Sequence, residues 1–259
     1  MERCKMDREE LIAVLEKHGT WLESDGERGA KADLRGRNLS GHYLQQANLE
    51  RADLEGVNLY RVNCRTANFR AANLHGAHLA EADLQWAIFL LADLGEACLE
   101  RANLHYANLS NSNLTRARMK NVFLHNAYFQ GATLDSVDLR GASFRFTQMN
   151  GSRLRGANLS GAVIAATKMI GADLSGSDLS NTRISMSDFE NATVRDIRLD
   201  HAYVLKTGFR RADMRGTDLS ETKIESVDFG ETVFSPESRK WYVMVDETMA
   251  LADHPARSV

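Results

Sequence analysis

The sequence predicts an all-β solenoid with a roughly square cross-section, and three observations predict it. Every fifth residue from Leu34 to Phe234 is apolar, across forty-one consecutive positions. The residue two before the central position is usually small, most often Ala, with Arg37 and His42 as exceptions in the first coil. Six of the eight central Phe residues share one twenty-residue phase. Together these observations predict a chain that turns a corner every five residues and completes a circuit in four sides.

The five-residue period excludes a simple helix and a flat sheet. Five residues along an α-helix rotate by about 140°, so the apolar stripe would spread around the whole helix. In a straight strand, residues five apart point to opposite faces, and half of the central residues would face water. A corner after each quintet instead places the central residue and the small residue on the same inward face. The residue before the centre is often Asp or Asn, which hydrogen-bonds its own backbone at turns.

Residues 32–236 resemble the pentapeptide-repeat family, whose pattern is a small residue, Asp or Asn, Leu or Phe, and two variable residues. Quintets such as ADLRG at 32–36 and ADLEG at 52–56 carry the resemblance. The resemblance implies a right-handed quadrilateral β-helix with inward Leu or Phe. The repeat length corresponds to about ten coils, or a rod of roughly 48 Å at ~4.8 Å per coil. Because each coil buries its core against its neighbours, both ends of the rod need a lid.

The N-terminal lid is predicted to be a helix. Asp7 followed by Glu10 resembles a capping box, and an apolar stripe with helical spacing follows. We therefore expect a helix over residues 7–18 that closes the first coil, with Trp21 and Leu22 continuing the cover.

The C-terminal lid is predicted to be a strongly apolar segment. Pro236 follows Ser235 in the manner of a helix start, where Pro is favoured at the first position. The apolar run that follows predicts either a cap over the last coil or a seam between two copies of the chain, and both readings stay open. This run comprises Trp241, Tyr242, Val243, Met244 and Val245. The predicted segments are 1–31, an N-terminal helical cap; 32–236, the repeat β-helix; and 237–259, a C-terminal cap or dimerisation segment with a tail.

The composition predicts a cytoplasmic protein. The chain of 259 residues has 35 acidic and 32 basic residues, which gives a net charge of -3. It has no apolar run of eighteen residues, and its N-terminus is charged rather than typical of a signal peptide. We therefore expect neither membrane insertion nor export.

The cysteine and histidine positions do not predict a metal site, a disulfide or a cofactor. Cys4, Cys64 and Cys98 have no metal-ligand spacing and form no even disulfide set. His105 and His125 occupy one ladder and could stand about 4.8 Å apart, but nothing nearby completes a ligand set, so we expect a solvated pair. An unbroken rod offers no enclosed pocket for a substrate. The sequence therefore predicts a protein without catalytic activity.

Function is then expected on the outward positions, and one side of the square differs from the others. The Leu44 side comprises the outward residues that flank Leu44 and each further centre at twenty-residue intervals. It carries only two acids, Asp83 and Glu225, against five bases, and it is rich in aromatic residues. The Leu49 side, round the next corner, adds further apolar residues. The residues that we expect to form one contiguous aromatic surface are Trp86, Ile88, Leu90, Leu91, Tyr106, Phe123, Tyr128 and Phe146.

Soluble monomers rarely expose a large contiguous apolar area, so the aromatic surface predicts a site for a protein partner or for self-association. The alternative is that these side chains fold over each other or that a terminal segment covers them. The sequence thus favours a rod that acts through protein contacts, with a homodimer through the C-terminal segment left open.

The sequence leaves two alternative functions open. The best understood members of the family protect DNA gyrase or topoisomerase IV as rods that imitate the charge of DNA, so the resemblance implies this alternative. A mimic of this length needs on the order of 28 negative charges, at one per ~1.7 Å. The outward positions hold 23 acids and 22 bases, which weakens the idea. Single-stranded nucleic acid could stack on the aromatic residues, but the net charge of -3 argues against a phosphate-binding protein.

Overall fold

The computed structural model describes residues 5–236, which form a parallel β-solenoid with one N-terminal helix, α1 (Arg8–Glu23). Parallel bridges join each outward residue before a centre to the residue twenty positions further on, from Asp33 with Asp53 to Asp213 with Val233. Each circuit therefore consists of four quintets. The prediction of an all-β solenoid is confirmed, whereas its handedness and the count of about ten coils stay predictions.

The regular strands all lie on the Leu44 side. They are β1 (Ser143–Arg145), β2 (Val163–Ala165), β3 (Arg183–Ser185), β4 (Tyr203–Leu205) and β5 (Lys223–Glu225). They form one parallel sheet in sequence order, and its four successive pairings span about four turns of the solenoid. On the other sides of the described chain, neighbouring coils are joined by single bridges.

A change in the small residue accompanies the change from single bridges to strands. In earlier coils the small position that opens the Leu49-side quintet, just past the corner that ends the Leu44 side, holds Ala, and the Ala127 amide donates to the Leu124 carbonyl at 3.1 Å, which closes a tight turn. In the next coil the Thr147 hydroxyl donates to the same Leu124 carbonyl at 2.8 Å. Later coils keep a hydroxyl at this position: Thr167, Ser187 and Thr207. The side-chain bond thus links consecutive coils where the turn opens.

The core is a column of central residues along the rod axis. Every centre from Leu34 to Leu219 is buried, with at most 3% of its surface exposed. Some of the central Phe rings stack along the axis: the Phe69 and Phe89 centroids are 4.9 Å apart, with an interplanar angle of 3°. Each buried side chain of this size contributes about 1.5–3 kcal/mol, so the column supplies most of the stability.

Helix α1 begins as predicted but ends later. The Asp7 side chain accepts a hydrogen bond from the Glu10 amide at 2.7 Å, which caps the helix. The helix continues past residue 18 to Glu23, because His18 is fully buried and ties it to the first coil: the His18 Nδ1 accepts from the Ala32 amide at 3.1 Å. It ends in a Schellman motif: Asp25 has a left-handed φ of 52°, its amide donates to the Leu22 carbonyl at 3.3 Å, and the Gly26 amide donates to the Trp21 carbonyl at 2.8 Å.

The far end of the described rod is less completely covered. The centres Ile224, Phe229 and Phe234 are half-buried and pack against the core. The predicted C-terminal cap and dimer seam lie outside the described residues, which end at residue 236. The residues predicted to form them are Trp241, Tyr242, Val243, Met244 and Val245.

Candidate interaction surface

The predicted aromatic surface lies outside the core, across the corner between the Leu44 and Leu49 sides. Trp86 is 51% exposed, Tyr106 39% and Phe146 59%. Four further members are also exposed: Ile88, Leu91, Phe123 and Tyr128. Leu90 is half-buried. The fold therefore brings these apolar side chains to one stretch of surface where their apolar area meets solvent.

Trp86 and Tyr106 stack on each other along the rod axis. Their ring centroids are 4.1 Å apart and their planes differ by 2°. The regular ladder sets this spacing, because the Trp86 amide donates to the His105 carbonyl and the Tyr106 amide to the His125 carbonyl, both at 3.0 Å. Such a pair stabilises its own arrangement by about 0.5–1.5 kcal/mol. Each ring covers one face of the other, yet both remain exposed, so folding over each other removes only part of the apolar area.

The corner positions that carry the largest aromatic residues have left-handed backbone. The φ angles are 61° at Trp86, 60° at Tyr106 and 55° at Phe146. On other sides this corner often holds glycine, as at Gly36, where φ is 62°. A residue with a bulky side chain costs about 1–2 kcal/mol in this conformation, whereas glycine costs little. The same left-handed conformation occurs at corners that hold other non-glycine residues, such as Arg51 and Glu96, so this cost belongs to the repeat as a whole.

Two outward residues differ from the sequence-based expectation. Met186 is 62% exposed and lies on the same ladder as Phe146, so it extends the apolar column beyond the predicted set. Met186 lies two residues after a centre of the Leu44 side, the same repeat position as Trp86, Tyr106 and Phe146, and this position alone could have identified it from the sequence. Tyr203 occupies an outward position of the Leu44 side but is half-buried, because its hydroxyl donates to Glu225 at 2.8 Å and its ring lies under Lys223.

His105 and His125 form a stacked, half-buried pair, and the expectation of a solvated pair is wrong. Their ring centroids are 4.5 Å apart, and the Phe123 and His105 rings are nearly perpendicular, with centroids 6.3 Å apart. The Nε2 atom of His105 is buried without a hydrogen-bond partner in the described structure, whereas the Nε2 atom of His125 lies 2.9 Å from the Ser143 hydroxyl. Burial lowers the pKa of both imidazoles, and Arg145 lowers that of His125 further.

Acidification from about pH 7.5 to about pH 5.5 should destabilise the fold through this pair. Because the pKa of each imidazole is below its ordinary value of 6.5, the folded state binds fewer protons than the unfolded chain. The free energy of unfolding therefore falls as the pH drops below about 6.5. Urea titrations at several pH values measure the slope.

The double variant His105→Gln with His125→Gln should show a shallower slope, because it removes the two imidazoles that titrate. Gln is chosen because Gln85 already occupies the same ladder in the preceding coil. Some slope remains, because burial also lowers the pKa of His18. His78→Gln, at an exposed position on another side, is the matched control. An unchanged slope in the double variant would contradict the assignment.

Other reactive chemistry is sparse in the described chain. Cys64 is a fully buried central residue, and burial raises the pKa of its thiol. Cys98 is buried as well. Within residues 5–236, no group of three His, Cys, Asp or Glu residues could hold a metal ion. No helix in the same part of the chain is long and apolar enough to cross a bilayer.

The bridges at twenty-residue intervals, the inward central column and the outward side chains define a β-solenoid built from five-residue units. The chain belongs to the pentapeptide-repeat family. The family profile described as "Pentapeptide repeats (8 copies)" matches most of the repeat region, at residues 30–63, 67–105, 97–135, 124–161 and 157–196.

Similar solved structures include other pentapeptide-repeat proteins. HetL, involved in heterocyst differentiation regulation in the cyanobacterium Nostoc, is 23% identical with a TM-score of 0.68, covering 88% of this chain and 94% of HetL. QnrB1, a plasmid-mediated fluoroquinolone resistance protein, is 16% identical in one trypsin-treated form, with a TM-score of 0.31 over 84% of this chain and 96% of its own. The comparison with curated proteins gave no match. The likeness to HetL supports the fold alone.

Proposed function

We propose that this protein is a non-enzymatic, rod-like scaffold that binds a partner protein through the aromatic surface. The observation that carries the proposal is the exposed, stacked pair of Trp86 and Tyr106, with the exposed Phe146 two coils further along the same ladder. Exposed aromatic residues gathered on one surface are typical of protein interfaces. The rod itself, for which we propose a right-handed path of about ten coils, holds these side chains on rigid backbone and so lowers the entropic cost of binding.

Mimicry of duplex DNA, and with it protection of DNA gyrase or topoisomerase IV, is disfavoured by the charges on the other sides. Many acids there lie against arginines of the same or neighbouring coils. Asp173 lies 2.6 Å from Arg155, and Asp213 lies 2.7 Å from Arg215. These pairs cancel local charge, whereas duplex DNA presents a continuous series of negative charges. A supercoiling assay with purified gyrase and a quinolone distinguishes the two functions.

Stacking of single-stranded nucleic acid is also disfavoured. Trp86 and Tyr106 cover one face of each other at 4.1 Å, so each ring has only one face left on which a base could stack. The net charge of -3 does not favour phosphate binding either.

The double variant Trp86→Asp with Tyr106→Asp should lose its partner while it keeps its fold. Both side chains are exposed, so the core is untouched, and Asp is a residue that tolerates left-handed backbone. The two substitutions remove the stacked apolar area and add negative charge, and we expect binding to weaken by a factor of ten or more, as for a central interface residue. Quantitative pull-downs, followed by titration of the captured partner, measure the loss.

Ser136→Asp is the matched control. Ser136 is exposed on the Leu34 side and has a φ of 56°, so the same residue type enters the same backbone conformation away from the aromatic surface. Circular dichroism and melting curves verify the fold of both variants. An identical set of bound proteins for the wild type and the double variant would remove the aromatic surface as the binding site.

A further inference from the structure

Basic side chains border the aromatic surface on its C-terminal side. Near the two ends of the Leu44 side, the basic residues form salt bridges with acids: Arg65 with Asp83 and Lys223 with Glu225. Between them lie three exposed cations of the Leu44 side, and a fourth, Lys168, lies round the corner on the Leu49 side; none of the four forms a salt bridge within residues 5–236. We call these the basic cluster: Arg145, Lys168, Arg183 and Lys206. The neighbouring acid is Asp188, which pairs through its backbone with Lys168. The cluster therefore keeps an excess of positive charge at the surface.

The exposed apolar residues beside the basic cluster repeat along the rod axis. Tyr106, Phe146 and Met186 occupy one ladder, and consecutive members are two coils apart, with one coil between them. Two coils correspond to about 9.6 Å at ~4.8 Å per coil. The apolar face of an amphipathic helix returns every seven residues, or about 10.5 Å. A helix parallel to the rod axis can thus place an apolar side chain against each of the three.

We infer that the aromatic surface and the basic cluster together bind an acidic amphipathic helix of a partner protein, aligned with the rod axis. This inference rests on the proposed function and specifies its partner. The apolar face of the helix contacts Tyr106, Phe146 and Met186, and its flanking carboxylates face the basic cluster. Complementary charge of this kind accelerates association and fixes the orientation of the helix.

Two synthetic helical peptides of about 21 residues, or three heptads, test the inference. They share one Leu face and differ only in their flanking residues, which are Glu in one and Lys in the other. Fluorescence anisotropy with the full chain should show that the Glu peptide binds about tenfold more tightly at low salt, with the difference shrinking as salt rises. Arg145→Glu combined with Arg183→Glu should abolish this preference.

The matched control is Arg101→Glu combined with Lys120→Glu. Both cations are exposed and lie on the Leu39 side, which comprises the outward residues that flank Leu39 and each further centre at twenty-residue intervals. We expect it to leave the preference unchanged. Equal affinity for the two peptides, or an equal loss in the control, would overturn the inference. Tighter binding of an oligothymidylate than of the Glu peptide, lost in the Arg145 and Arg183 variant, would assign the basic cluster to nucleic acid and overturn it as well.

Failure of this inference is distinguishable from failure of the proposed function. A partner that is lost in the Trp86→Asp and Tyr106→Asp variant but shows no preference for acidic peptides would leave the scaffold function standing. A partner retained by that variant would remove the proposed function whatever the two peptides do.

Discussion

Phe89→Ala should lower the free energy of unfolding by about 3–5 kcal/mol. Phe89 is fully buried, and its ring stacks on Phe69 at a centroid distance of 4.9 Å. Truncation removes most of a large apolar side chain and leaves a cavity beside that ring. In a solenoid each coil is supported only by its neighbours, so the coils on either side cannot easily collapse into the space. Equilibrium denaturation in urea measures the change.

Ile88→Ala is the matched control for this variant. Ile88 is the preceding residue, but it is 39% exposed on the outer surface. We expect its truncation to cost less than about 1 kcal/mol, as for most surface substitutions. Equal losses in the two variants would contradict the inward column, because outward and inward residues would then contribute equally.

Ala107→Asp should be at least as damaging, with a loss of about 3–5 kcal/mol or failure to fold. Ala107 is the small inward residue of its quintet, fully buried among apolar side chains, and its amide donates to the Leu104 carbonyl at 3.1 Å. A carboxylate there would be buried without a cation. Protease resistance at several temperatures and urea denaturation both measure the loss.

Ala107→Ser, in contrast, should change the stability by less than about 1.5 kcal/mol. Two nearby coils already carry Ser at the inward small position with the hydroxyl hydrogen-bonded to a carbonyl three residues earlier. Ser112 donates to the Leu109 carbonyl at 2.6 Å, and Ser152 donates to the Met149 carbonyl at 2.7 Å. Severe destabilisation by Ser at position 107 would show that size, rather than hydrogen bonding, limits this site.

Much of the fold was predictable because one short pattern repeats. A period of five with a small residue two before each centre allows only a chain that bends at every quintet. The twenty-residue phase of the central Phe residues indicated four sides, and the bridges from Asp33 to Asp53 onward agree. The capping residue Asp7 was also readable, since the Asp side chain accepts the Glu10 amide locally.

The site was predictable only in part. The repeat phase assigns each residue to a face, so the outward positions of Trp86 and Tyr106 followed from counting. Contacts between outward side chains did not follow, because they depend on rotamers and on neighbours one coil away. Tyr203 bends to Glu225, and the His105 ring lies nearly perpendicular to that of Phe123. Met186 was missed because a single Met on a polar stretch carried no aromatic signal.

The amino-acid pattern alone established which residues face inward and how many quintets form a circuit, since burial of one apolar residue per quintet is a local requirement. The end of helix α1 depended on long-range packing: it continues to Glu23 because the buried His18 bonds to Ala32 fourteen residues away. The stacking of Trp86 on Tyr106 and the burial of the His105 and His125 pair arose in the same way. Their partners lie twenty residues distant in sequence and become neighbours only when one coil is stacked on the next.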